Sequence, residues 1–219
     1  LQSGVDSAHG VIVAVGDCGT PLGTLLRNRR AMKDKAYESF KEEYAHGNIY
    51  DARMYLSRWR DLSEDDARVP LLYLLHDAEM NMLEEQYVKA TASLDTAIGL
   101  STGVYDDLFM QSVLMKLYVL LYNGDIESAA GIMARHENNT KITSSGDWCV
   151  FKAVITMARE GVQQSAGFAA CAANTWHATP PLRLALLYAE YAALLGDRQA
   201  ARAAFAGVPV NCPLSPREA

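Results

Sequence analysis

The residues best suited to ligand chemistry lie near the N-terminus, where an apolar run meets several glycines. Residues 11–15 (VIVAV) have the pattern of a β-strand, and Gly16, Gly19 and Gly23 follow before a possible helix. A strand, a glycine-rich loop and a helix form the phosphate-binding element of many nucleotide-binding proteins. The spacing here matches neither G-x-G-x-x-G nor the phosphate loop, in which Lys and Ser or Thr follow the last glycine. The pattern therefore predicts no bound nucleotide, and we expect no cofactor.

The histidines and cysteines are the remaining candidates for metal binding or catalysis. The five histidines lack metal-ligand spacing, and the four cysteines stand far apart without a C-x-x-C pair. His136 and His177 are expected to end helices, where a cationic side chain suits the helix dipole. Cys149 lies at a predicted helix start, where the pKa of a thiol can fall, but we interpret all four cysteines as buried thiols in a reducing compartment. We predict no metal site, no catalytic residue and no enzymatic activity.

Composition and charge narrow the class of protein. Half of the 219 residues are hydrophobic and the net charge is −6, which is typical of a folded acidic domain. Because nucleic-acid binding depends on Lys and Arg that neutralise phosphates, this balance argues against a nucleic-acid partner. We predict no membrane span, since no apolar run is long enough. The one dense basic cluster is interpreted as a solvated helix start and consists of Arg27, Arg29, Arg30, Lys33 and Lys35.

Two similar segments indicate internal repetition. Residues 122–136 (YNGDIESAAGIMARH) and 195–209 (LGDRQAARAAFAGVP) both place Gly-Asp after an apolar run and Ala five residues after the Gly. Three more positions continue the pattern, at spacings of 35 to 39 residues. The five positions, here named the turn marks, are Gly47, Glu85, Gly124, Gly161 and Gly196. The alanines five residues later are Ala52, Ala90, Ala129, Ala166 and Ala201.

The turn marks predict repeating helical hairpins. Each mark follows a helical pattern and precedes another, and glycine lets the chain turn between helices without steric cost. A small residue early in the second helix lets the two helices approach closely. Larger packing partners are expected four residues further on, at Leu56, Leu94, Met133 and Phe205, whereas the fourth unit offers Ala170 and should pack more loosely. A helix bundle without repeats is the alternative.

Several helix starts are also predicted. Thr179-Pro180-Pro181 supplies a capping hydroxyl followed by prolines, which suit a first turn. Residues 63–66 (SEDD) resemble a capping box before the second unit. Asp106-Asp107 and Asp147 are acidic residues suited to the N-termini of helices in the third and fourth units.

Over about residues 33–208 this pattern resembles the tetratricopeptide and pentatricopeptide superfamily of helical-hairpin repeats. The closest stretch, residues 196–205 (GDRQAARAAF) followed by Val208-Pro209, looks like the second half of a pentatricopeptide repeat. The resemblance implies an all-α fold, a right-handed α-solenoid of about five helix-turn-helix repeats over residues 31–208. We expect an extended N-terminal arm over residues 1–30 and an irregular C-terminal tail over residues 209–219.

Pentatricopeptide arrays usually bind single-stranded RNA, one base per repeat. The family's base-reading residue is typically Asn, Ser or Thr, ten residues before the turn glycine. The corresponding residues here, none of them Asn, Ser or Thr, are Tyr37, Leu75, Leu114, Phe151 and Leu186. Leucine cannot hydrogen-bond a base edge, and Tyr37 is interpreted as a packing residue. An organellar RNA-binding factor is therefore the alternative function and not the preferred one.

The preferred function is a non-catalytic protein–protein interaction or architectural subunit of a larger assembly. Stacked hairpins expose long surfaces suited to binding other protein subunits. Acidic, degenerate arrays of this family occur as accessory subunits of mitochondrial assemblies, including ATP synthase and the mitochondrial ribosome. The sequence begins at Leu1, the pattern left by removal of a transit peptide or by cutting a longer chain. We therefore expect an intracellular protein and favour the mitochondrial matrix over the cytoplasm.

The N-terminal arm is the predicted partner-binding segment. A lone apolar strand has no strand partner in a helical chain, so its backbone groups must be satisfied elsewhere. It could lie in a groove of the array or add to the edge of a partner's sheet. The partner-binding residues expected from this argument are Val11, Ile12, Val13 and Val15.

Overall fold

The computed structural model describes residues 21–161 and 181–206, and within these ranges it contains ten helices and no strand. The helices are α1 (Pro21–Ala45), α2 (Ile49–Asp61), α3 (Val69–Leu83), α4 (Tyr87–Ser101), α5 (Asp106–Tyr122), α6 (Ile126–His136), α7 (Thr140–Thr143), α8 (Gly146–Glu160), α9 (Pro181–Leu194) and α10 (Arg198–Ala206). The prediction of an all-α chain is confirmed for these residues.

Four turns between helices share one backbone geometry: α1–α2, α3–α4, α5–α6 and α9–α10. In each, the N–H of the turn mark donates to the carbonyl three residues earlier, and the next N–H donates to the carbonyl five residues earlier. This is the Schellman arrangement, which requires a left-handed residue after the helix. The φ angles are 78° at Gly47, 62° at Glu85, 79° at Gly124 and 80° at Gly196. The predicted turn positions are confirmed, including the one that carries no glycine.

The small residue after each of the first three turns is buried, whereas Ala201 after the turn between α9 and α10 is half-buried. Ala52, Ala90 and Ala129 are fully buried, and so are Leu56 and Leu94 one turn later. At the fourth turn mark, α8 ends at a residue with φ of 96°, but Ala166 and Ala170 fall outside the described residues. The close approach expected from alanine is therefore confirmed in the first three pairs.

Neighbouring helix pairs lie in the same orientation. The residue before α3, Arg68, forms an ion pair with Asp107 in the first turn of α5. At the opposite edge of the helix pairs, Arg53 of α2 pairs with Glu84, the residue after α3, at 2.8 Å. Starts of first helices therefore meet at one edge, and the hairpin turns meet at the opposite edge, here named the turn edge.

The N-terminal boundary of the helical region differs from the prediction. α1 begins at Pro21, so residues 21–30 belong to a helix and not to an extended arm. Proline suits this position because the first N–H groups of a helix have no partner within the helix. Residues 1–20 and the predicted tail, 209–219, lie outside the described residues.

Most predicted helix starts are confirmed, and one is wrong. α5 starts at Asp106, α9 starts at Pro181, and Asp147 lies in the first turn of α8. Ser63, expected to cap the following helix, instead donates to the carbonyl oxygen of Trp59 at 2.7 Å and is buried. The hydroxyl is used by the preceding helix because the chain makes further turns before α3 begins at Val69.

Candidate interaction surfaces

Arg183 of α9 joins the end of the described chain to its beginning. Only 6 % of this residue is exposed. Its Nη2 lies 3.5 Å from the hydroxyl of Tyr44 in α1, and its Nη1 lies 3.7 Å from a carboxylate oxygen of Glu79 in α3. Burial by itself would lower the pKa of Arg183, but the interactions with Tyr44 and Glu79 outweigh it and raise the pKa, so the guanidinium stays charged. These contacts join α9 to α1 and α3.

A tyrosine, a histidine and a glutamate form a hydrogen-bonded series beside this contact. His76 Nε2 lies 3.3 Å from the hydroxyl of Tyr37, and His76 Nδ1 lies 3.4 Å from a carboxylate oxygen of Glu79. A carboxylate that orients a histidine beside a hydroxyl is the arrangement of an activated nucleophile. Here burial raises the pKa of Tyr37, which keeps the hydroxyl protonated. We interpret the series as a polar contact that holds α1 against α3.

A second polar network joins the first two helix pairs. Arg53 of α2 donates to Asp77 at 2.6 Å and to Asn81 at 2.8 Å, both in α3. The other carboxylate oxygen of Asp77 accepts from Asn81 at 2.9 Å and from Ser93 of α4 at 2.8 Å. Each of these donors and acceptors already has a partner inside the network. The geometry is that of a structural clamp between the pairs.

The positions that would read RNA bases belong to the core. Leu75, Leu114 and Phe151 are buried, and Leu186 is half-buried. The ring of Tyr37 packs against Trp59, with 4.8 Å between centroids. Side chains enclosed in this way do not face a nucleotide, which agrees with the interpretation of Tyr37 as a packing residue.

The turn edge exposes several large apolar side chains. Tyr50 and Val88 occupy equivalent places, three residues after the first two turn marks, and both are 83 % exposed. Tyr122, Leu194 and Leu195 lie just before two later turn marks and are also exposed. The windows 45–51, 83–89, 122–128 and 194–200 around these turns contain six acidic residues against two basic ones. The turn edge is thus both apolar and acidic.

Contacts between neighbouring turns make this edge continuous. The ring of Tyr87, beside the second turn mark, lies 6.0 Å from that of Tyr122, beside the third. Tyr191 of α9 donates to the carbonyl oxygen of Leu121 in α5 at 2.7 Å, which brings the last described turn to the same edge. The exposed apolar side chains therefore belong to one surface.

The remaining predicted positions have mixed outcomes. The proposed arm residues Val11, Ile12, Val13 and Val15 lie outside the described residues, so their role stays a prediction. Cys149 was expected to be a free thiol, but it is disulfide-bonded. The other three cysteines fall outside the described ranges, and the spacing of the cysteines in the sequence did not indicate a disulfide.

Neither a metal centre nor a membrane span is visible in the described parts of the chain. There, no three residues of the His, Cys, Asp or Glu types are grouped closely enough to hold a metal ion. None of the helices in residues 21–161 and 181–206 is long and apolar enough to cross a bilayer.

His136 gives a pH-dependent contribution to stability. It ends α6 as predicted, but burial first and Arg135 second lower its pKa below the ordinary value of 6.5. The unfolded chain therefore takes up a proton more readily, so stability should fall as the pH drops below about 6.5. We expect His136→Gln to flatten this part of the profile of unfolding free energy against pH, measured by urea denaturation between pH 7.5 and pH 5. An unchanged slope in the variant would contradict the assignment to His136.

Comparison with known proteins returned no match to a family model, to a curated protein or to a solved structure.

Proposed function

We propose that the chain is a non-catalytic interaction subunit of a larger protein assembly, built as a right-handed solenoid of tetratricopeptide- or pentatricopeptide-like hairpins. The observation that carries the proposal is the row of exposed apolar side chains along the turn edge. Large apolar patches rimmed by polar residues on soluble proteins usually belong to interaction sites. Tyr50 and Val88 repeat at the same place in successive hairpins, as expected of a surface that extends along an array.

The turn edge suits a basic protein surface with apolar side chains of its own. Acidic residues outnumber basic ones around the turns, and the whole chain has a net charge of −6. Opposite charge on the partner would speed association and exclude acidic competitors, while the apolar side chains supply most of the affinity. The partner is therefore expected to be another protein subunit.

The inner face of the array is a poorer docking surface. Helical-repeat proteins commonly bind partners on the concave side. In this chain Arg183 contacts Tyr44 and Glu79, and a partner that entered between α1, α3 and α9 would have to displace these contacts. The turn edge can be covered without any rearrangement.

The proposal does not include a compartment. The mitochondrial setting, with ATP synthase or the mitochondrial ribosome as examples, was an expectation from the family resemblance and from the start at Leu1, and the reducing compartment was an expectation from the cysteines. Cys149 is disulfide-bonded, and disulfides are rare in reducing compartments.

Substitution at the turn edge should release the partner without unfolding the chain. We expect Tyr50→Glu with Val88→Glu to reduce partner recovery about tenfold or more, because the variant loses two apolar contacts and buries carboxylates against the partner's apolar side chains. The measurement is native purification of the tagged chain from its source cells, with quantitative mass spectrometry of the co-purifying proteins.

A valine on the opposite edge supplies the matched control. Val104, in the loop between α4 and α5, is 65 % exposed, and Val104→Glu should leave both the partner and the melting temperature unchanged. A chain that purifies alone, or a double variant that keeps its partners in full, would refute the proposal.

A further inference from the structure

We propose that the N-terminal half of α1 binds an acidic amphipathic helix of a partner protein. The binding surface, here named the α1 groove, is lined by Leu25, Asn28, Ala31, Met32, Lys35 and Leu62. It lies at the edge opposite the turns, beside the loop between α2 and α3. The inference therefore concerns a different surface from the turn edge and does not depend on the function proposed above.

The shape of the α1 groove fits a helix. Leu25 and Met32 are seven residues apart, which places them on one face of α1 two turns apart. They are 65 % and 44 % exposed. Leu62, just after α2, forms the second wall of an open groove of about 740 Å³. A walled groove with apolar side chains at this spacing can receive the apolar stripe of another helix.

Contacts from two basic side chains of α1 hold the wall of the groove. Arg29 Nε donates to the carbonyl oxygen of Leu62 at 3.2 Å, and an Nη of Arg29 lies 3.5 Å from Glu64. Lys33 pairs with Asp66 at 3.5 Å. Two members of the basic cluster noted in the sequence therefore hold α1 to the following loop, which sets the width of the groove before any partner arrives.

The charge of the surface selects an acidic partner. Residues 27–35 contain five basic residues and one acidic residue. Arg29 and Lys33 are already paired with the carboxylates of the loop, so the charge available to a partner is that of Arg30 and Lys35. Lys35 lines the groove and Arg30 is exposed nearby on α1. Carboxylates flanking the apolar stripe of the docked helix would meet these cations at the rim, where charge governs the rate and selectivity of association.

A protein helix fits the groove better than RNA or a membrane does. Single-stranded nucleic acids bind through aromatic stacking platforms as well as cations, and residues 21–35 contain no aromatic residue. Helices that lie on a bilayer present an unobstructed apolar face to it. Here the loop at Leu62 stands beside the apolar stripe and would separate part of it from a flat surface.

Peptide display on the full-length chain tests the inference. A phage library of helical peptides, randomised in charge and apolar spacing, is selected on the wild-type protein. Enriched peptides should carry net negative charge and apolar residues at i, i+3 or i+4, and i+7. Their affinity should fall about tenfold or more for Arg30→Glu with Lys35→Glu, and for Met32→Glu, and it should weaken as salt is raised.

The control reverses two basic residues on the turn edge. Lys89→Glu with Arg198→Glu makes the same change in net charge and should leave peptide affinity within about twofold, because the substitutions lie beyond the screening length from the groove. A selection that enriches no acidic helical peptide, or acidic peptides that bind the groove variants as tightly as the wild type, would overturn the inference. It would also be overturned if the groove variants lost binding to phosphatidylserine vesicles or to polyuridine instead.

Discussion

Replacing Phe151 by alanine should lower the free energy of unfolding by about 3–5 kcal/mol, the usual cost of removing a buried aromatic ring. Phe151 lies in α8 with no exposed surface, among the largest fully buried side chains in the described residues. The surrounding helices can close only part of the space left by the ring. Urea denaturation followed by far-ultraviolet circular dichroism gives the quantity directly.

The same substitution separates a packing residue from a base-reading residue. Phe151 stands ten residues before a turn mark, where pentatricopeptide proteins place a residue that contacts RNA. Tyr50→Ala serves as the control, because this aromatic side chain is 83 % exposed and should change stability by less than about 0.5 kcal/mol. Equal, small effects from both substitutions would show that Phe151 is not part of the core.

Replacing Arg183 by alanine should lower the free energy of unfolding by about 2–3 kcal/mol, somewhat below the usual cost of breaking a fully buried ion pair. The substitution removes a buried guanidinium and leaves the Glu79 carboxylate without that partner. The Glu79 side chain is 23 % exposed, so water recovers part of the loss. The contact between α1 and α9, which lie far apart in the sequence, would also be lost.

A double-mutant cycle isolates the contact from the loss of volume. Arg183→Ala, Glu79→Gln and the combination should show a coupling above about 0.5 kcal/mol. Arg202→Ala, on the exposed face of α10, is the control for removing an arginine and should be close to neutral. If Arg183→Ala were as stable as Arg202→Ala, the contacts of Arg183 with α1 and α3 would contribute nothing to stability in solution. The space between these helices and α9 would then be a candidate docking surface.

These two predictions bear on where a partner can bind. The Phe151 substitution tests whether α8 buries this side chain in the core. The Arg183 substitution tests whether α9 contacts α1 and α3 in solution. If both results hold, the turn edge and the α1 groove are surfaces of the described residues that can accept another protein. A partner on either surface needs no opening of the core.

The sequence alone determined the features that depend only on residues close together in the chain. A left-handed turn needs a residue such as Gly47 or Gly124, and a close helix approach needs a small one such as Ala90, so both could be located by spacing. Spacing also placed Glu85 at a turn together with the glycines, although glutamate rarely adopts a positive φ. The all-α class followed from the same local pattern.

Tertiary structure decided the features that join distant parts of the chain. Arg183 and Tyr44 are 139 residues apart, and their contact depends on how the chain between them packs. The groove between α1 and Leu62 likewise requires helices already placed in space. The basic cluster of residues 27–35 was visible in the sequence as charge, but its use as the rim of a groove was not. Local patterns specify turns and buried faces, whereas the relative angles of packed helices come from how all their side chains interlock.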